Sequence, residues 1–103
     1  MTDLLPIDIT ARAASQIREA ESWWRRNRPA APNAIRQELE RAFATIAAQP
    51  DAGGRAASAK FPQLRRIYLA RVKYHVYYHV ADAPRRVQVV AFWHTRRGDG
   101  PPL

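Results

Sequence analysis

Apolar positions along this chain change rhythm once, and the change divides it into a helical half and a stranded half. In "LLPIDI", Leu5, Ile7 and Ile9 alternate with polar or special residues, which predicts a short strand. Pro6, with no N–H to give to a ladder, places that strand at a sheet edge. Thr10 follows as an N-cap. From Ala11 to about Asn27, Ala13, Ile17, Ala20 and Trp24 recur at helical spacing, with Arg12, Arg18, Glu19 and Arg26 mostly on other faces. "RPAAPN" interrupts the pattern, and Pro32 suits an early position of a second helix, where the first turn leaves an N–H unpaired anyway. Ile35, Leu39, Ala42, Phe43 and Ile46 give that helix its stripe, and so short a linker predicts an antiparallel hairpin of helices.

"QPDAGGRAASAKFP" is poor in large apolar groups and reads as a loop, with Gly53 and Gly54 taking unusual backbone angles. The period then becomes two. "RRIYLA", "KYHVYYHV" and "RVQVVAFW" are β-branched or aromatic segments, "ADAP" is a turn between the last two, and Arg71 and Val72 form a tighter turn or extend a strand. On the middle strand Tyr74, Val76, Tyr78 and Val80 share a core face, while Lys73, His75, Tyr77 and His79 share a polar one. The last strand is apolar on both faces and belongs at the sheet centre. The expected fold is an α+β domain of order β-α-α-β-β-β spanning residues 1–103, with the helix hairpin on one face of a small, mainly antiparallel sheet.

Composition sets limits on this picture. A chain of 103 residues, 47% hydrophobic and 25% charged, suits one folded domain. No apolar run approaches the roughly 20 residues of a membrane span. The start, "MTDLLPIDIT", carries an acid where a signal peptide carries positive charge, so a cytoplasmic protein without membrane association is expected. There is no cysteine, and three histidines without nearby carboxylates make a poor metal set, so neither metal nor cofactor is expected.

Charge changes the picture more. Residues 1–54 hold 7 basic and 7 acidic groups and residues 55–103 hold 10 and 2, so the stranded half carries the whole net charge of +8. Fifteen of the 17 basic residues are arginine, the side chain suited to forked contacts with phosphate or carboxylate, which implies an acidic or nucleic-acid partner. With the helices covering one sheet face, the charge is expected to gather on the other. Arg65, Arg66, Arg71 and Lys73 would come from the first hairpin, and His94, Arg96 and Arg97 from the end of "FWHTRR", where core gives way to surface.

The order "ARAASQIREAESWWRRN", "AIRQELERAFATIAAQPDAGG", "RRIYLARVKYHVYYHV", "VQVVAFWHTRR" resembles the ParE/RelE superfamily of bacterial toxins from toxin–antitoxin modules, nearer its ParE, plasmid-stabilisation branch, from Leu5 to Arg97. The resemblance implies the fold already derived, and two activities. ParE-like members poison DNA gyrase with no known chemistry of their own. RelE-like members cut messenger RNA in the ribosome, attacking the adjacent phosphate with a ribose 2′-hydroxyl, which needs a base, an acid and cations around the phosphate. Here a nuclease site would use His94 as acid or base, with Arg71 and Arg96 as phosphate clamps. The first reading makes Arg65, Arg71, Lys73, His94, Arg96 and Arg97 a target-binding surface.

The resemblance also implies a cognate antitoxin. Its acidic, amphipathic C-terminal segment would wrap the toxin into a hetero-oligomer, with apolar anchors beside the helix hairpin and acids on the basic surface. Trp23 as an exposed patch and His75, Tyr77 and His79 on the polar strand face are its candidate contacts. For the two histidines, ordinary half-exposed strand positions are the plainer alternative. Trp24 belongs to the core, and Arg85 and Arg86 to solvent. A relative that keeps antitoxin binding but has lost toxicity would carry the same residues.

Overall fold

The computed structural model describes residues 3–103; Met1 and Thr2, part of the expected domain, lie outside the described residues. The elements are β1 (Ile7–Ile9), α1 (Ala11–Asn27), α2 (Ala34–Ala48), β2 (Gly54–Arg55), β3 (Arg65–Leu69), β4 (Tyr74–Ala81) and β5 (Arg86–His94). They form a five-stranded sheet of order β1-β5-β4-β3-β2, in which the β1–β5 pair is parallel and the others antiparallel. The helix hairpin packs on one face, as the alternation in the strands requires.

Local chemistry sets the element ends. The Thr10 hydroxyl accepts the Ala13 N–H at 3.1 Å, satisfying one of the free donors of α1. Pro32 lies in the turn before α2, not in its first turn, and Asn33 is the cap residue without a side-chain bond. Ala13, Ile17 and Ala20 of α1 and Ile35, Leu39, Ala42 and Ile46 of α2 meet Val76, Tyr78, Val87, Val89 and Phe92 of the sheet in the main core. Where β1 stops short, the Gln16 side chain of α1 takes its place. Its Oε1 accepts the Phe92 N–H at 2.8 Å, so the open edge of β5 keeps a partner.

The loop before β3 departs from expectation. Residues 54 and 55 pair with Arg66 and Arg65 as the short strand β2. No glycine among the described residues has a positive φ. Gly53 is required by close approach instead: a Cβ there would lie 2.6 Å from the Tyr78 hydroxyl and 2.8 Å from the Arg66 carbonyl oxygen. That hydroxyl, on a buried ring, accepts the Gly53 N–H at 2.8 Å and donates to the Pro50 carbonyl at 2.8 Å, tying the loop to the sheet. Gly54 has open space around it.

The far face of the sheet is not bare. Phe61 and Leu64, with Ala56, fold over it and meet Tyr77, Val90, Ala91 and Leu103 in a second apolar cluster. Two apolar residues stand side by side there because β5 carries a bulge. Tyr77 pairs with Ala91 and Tyr78 with Val89, which leaves Val90 as an extra residue. Beyond the bulge the alternation is inverted, and Phe92 returns to the helix side. The bulge and the covering loop together explain why β5 reads as apolar on both faces.

Candidate functional site

The inversion in β5 decides where "FWHTRR" delivers its polar groups. Phe92 and His94 turn to the helix side and Trp93 to the far side. Tyr74 lies flat on Phe92, with centroids 4.4 Å apart, and meets the His94 ring edge-on at 4.9 Å. The β3–β4 turn closes through the Lys73 N–H to the Leu69 carbonyl at 2.7 Å, with Lys73 in the left-handed region at φ 64°. The Lys73 carbonyl in turn accepts the Thr95 N–H at 3.0 Å, so this turn and the end of β5 form one unit. Val72, fully buried, anchors it to the core.

Against this unit stands the C-terminal end of α1. The result is a cleft of about 630 Å³ lined by Trp23, Trp24, Arg28, Arg71, Val72, Lys73, Tyr74, His94, Arg96 and Arg97. Of the target-binding candidates, Arg71, Lys73, His94, Arg96 and Arg97 therefore converge, but at one end of the sheet beside the helices and not on an uncovered sheet face. Arg65 is elsewhere, its guanidinium bonded to the Gly53 and Asp51 carbonyls at 2.7 and 3.3 Å. Arg66 points to the far face, 3.3 Å from the Tyr77 hydroxyl.

The cleft is electrostatically unbalanced. Arg71 has a buried acid beside it, Glu38 at 3.6 Å, and also donates to the Gln37 Oε1 at 2.9 Å. Among the described residues Lys73, Arg96 and Arg97 make no ion pair. Arg97 instead lies over the Trp93 ring, 4.2 Å from its centroid. The His94 pKa is pushed below the ordinary imidazole range, first by burial and then by Arg96, Arg97 and Lys73. Its Nδ1 takes the Arg96 N–H at 3.0 Å, which leaves the proton of the neutral ring on Nε2. Burial raises the Tyr74 pKa, with Arg97 opposing and Glu19 adding to the rise. The buried Trp24 Nε1 has no partner, a loss of about 1–3 kcal/mol for an orphaned donor.

The antitoxin-contact candidates separate. Trp23, 43% exposed, joins the cleft at the end of α1. His75, Tyr77 and His79 occupy the opposite face. His75 packs against Tyr68 and Tyr77, and its pKa is lowered by burial and then by Arg66. His79 bonds the Gln88 Oε1 at 2.7 Å beside Phe61, and Tyr77 is buried in the second cluster. The sequence reading missed Arg28, whose guanidinium carbon lies 5.5 Å from the Trp23 centroid. The pair of tryptophans followed within five positions by arginines was the available signal. It also took Tyr74 for core alone, although Tyr74 is half-buried and forms the floor of the cleft.

Comparisons with known proteins agree with this architecture. No curated protein matches the sequence. A solved structure of the chromosomal ParDE toxin–antitoxin system from P. aeruginosa is similar at a TM-score of 0.70 and 15% identity, over 90% of this chain and 98% of that one. The isolated E. coli RelE toxin matches at 0.66 and 20%, over 92% and 88%. The YoeB/ParE toxin from Agrobacterium tumefaciens matches at 0.56 and 14%, over 87% and 98%. At these identities the likeness establishes the fold. The family model for the ParE toxin of the type II toxin–antitoxin system parDE matches residues 7–98, from β1 through the cationic end of the cleft, and the chain therefore belongs to the ParE toxin family.

Proposed function

We propose that this toxin acts in the cytoplasm by binding and poisoning DNA gyrase, and that its cognate antitoxin neutralises it through an acidic, amphipathic C-terminal segment. One observation carries the reading: among the described residues the cleft is lined by cations and aromatic walls but by no carboxylate. Strand cleavage needs a group that takes a proton and another that gives one. His94 has one nitrogen occupied by the Arg96 N–H, and Tyr74 holds its proton more tightly than a free phenol. Such a set is built to grip an anionic surface. The unpaired cations suit capture of an acidic antitoxin, and exposed Trp23 supplies an apolar anchor beside them.

A second reading, ribosome-dependent cleavage of messenger RNA, is favoured by a neutral His94 ringed by Arg71, Arg96 and Lys73. Two assays separate the readings. With gyrase and supercoiled DNA, the toxin should accumulate cleaved DNA bound to gyrase, while messenger RNA in translating ribosomes stays intact. Cut messenger RNA without gyrase-linked breaks, abolished by His94→Ala in a folded protein, would replace the first reading by the second.

A further inference from the structure

The composition of the cleft also selects among small anionic ligands. Its permanent cations are Arg28, Arg71, Lys73, Arg96 and Arg97, and its aromatic walls are Trp23, Trp24 and Tyr74. Glu38, beside Arg71, is the one acid within ion-pair reach of these cations among the described residues, and it does not line the cleft. The charged side chains here can only donate. Neutral His94 also has a donor left, because Arg96 occupies its Nδ1. Trp24 lines the cleft, and its buried Nε1 has no partner. Charged side chains that only donate call for a ligand rich in acceptors and negative in charge.

Charge density and shape choose among such ligands. The cleft, at about 630 Å³, falls within the roughly 300–1,000 Å³ of small-molecule sites. A carboxylate brings a single negative charge, whereas a phosphate ester brings about 1.5 to 2 with three acceptor oxygens. Five cations around so small a volume match the second. Trp23 is 43% exposed, and the Arg28 guanidinium lies over one face of its ring, 5.5 Å from the centroid, so a base stacks on the opposite face or takes the place of Arg28.

We propose that this cleft binds a nucleoside phosphate, its base stacked on Trp23 and its phosphates held by Arg71, Lys73 and Arg96. A free nucleotide and the phosphorylated end of a nucleic-acid strand offer the same chemistry. The site stands on the cleft alone and not on the gyrase reading. Nucleotide binding is read on the purified chain without gyrase, so either proposal can fail while the other holds.

The test titrates the full chain at physiological ionic strength with ATP, inorganic pyrophosphate, a 5′-phosphorylated tetranucleotide and an acidic, Phe-containing hexapeptide. Calorimetry gives affinity, and tryptophan fluorescence reports contact with the indoles. ATP or the tetranucleotide should bind with 1:1 saturation at least tenfold more tightly than pyrophosphate. Trp23→Leu should erase that advantage, and Lys73→Ala with Arg96→Ala should weaken ATP and pyrophosphate alike by tenfold or more. Unchanged thermal unfolding would establish that these variants are folded. Tight ATP binding identifies a free nucleotide, and preference for the tetranucleotide identifies a strand end; both support the site. Absence of saturable binding, pyrophosphate binding as tightly as both nucleotide probes, or tighter binding of the hexapeptide than of both would overturn it.

Discussion

Imidazoles record the cost of burial beside cations. His94 and His75 both have pKa values held below the free value, His94 by burial and then Arg96, Arg97 and Lys73, His75 by burial and then Arg66. The unfolded chain therefore takes up protons near the ordinary value of about 6.5 while the folded chain still resists them. With more protons on the unfolded state, stability falls as pH drops from about 6.5 through the depressed folded values, and is retained above that window. Urea denaturation between pH 8 and 5 should show this loss, and a His75→Gln, His94→Gln protein should show a shallower one. Equal slopes in both proteins would remove the imidazoles from the account. At this scale the sequence was unevenly legible. Thr10 as a cap and Trp24 on the core-facing stripe, where it packs partly buried, could be read from spacing, because both depend on neighbours a helical turn away. The role of Gly53 could not, since it rests on the Tyr78 hydroxyl, 25 positions distant.

Elements with long, regular periodicity were readable, and those defined by a partner were not. The stripe of α1 and the alternation of β3 and β4 predict their bounds closely, and the stripe of α2 predicts the helix but not its start, because each pattern is that element's own. The two-residue β2 has no period and exists through its pairing with β3. The cover on the far face was hidden for a related reason: in a segment of small residues, Phe61 and Leu64 do not announce that they fold back onto Tyr77 and Val90. This cover is part of the fold's stability. Leu64 is 1% exposed, and Leu64→Ala should cost about 2–5 kcal/mol in urea denaturation, in the range of buried leucine truncations. A loss below about 1 kcal/mol would mean that the segment lies on the sheet without contributing to its core.

Charge is a property of the whole molecule, and here it was legible as an amount but not as a place. The count of 10 basic to 2 acidic residues in the stranded half foretold a cationic surface. Two of those ten cations, Arg71 and Arg86, have acid partners among the described residues, Glu38 and Asp8. An acidic antitoxin segment should therefore associate quickly at low salt. Raising ionic strength from 50 to 500 mM should slow its association by about tenfold or more while dissociation changes little. Stopped-flow mixing measures both rates, and a salt-insensitive association would assign recognition to apolar contacts alone. The location of the charge depended on Val90, the single unmatched residue of β5. Parity along the strand is reset there, so shortening β5 by that residue would send His94 to the opposite side and leave Tyr74 without its neighbour. A tail exchanged between relatives of this toxin should keep its activity only when donor and recipient share that offset, whatever their arginine content.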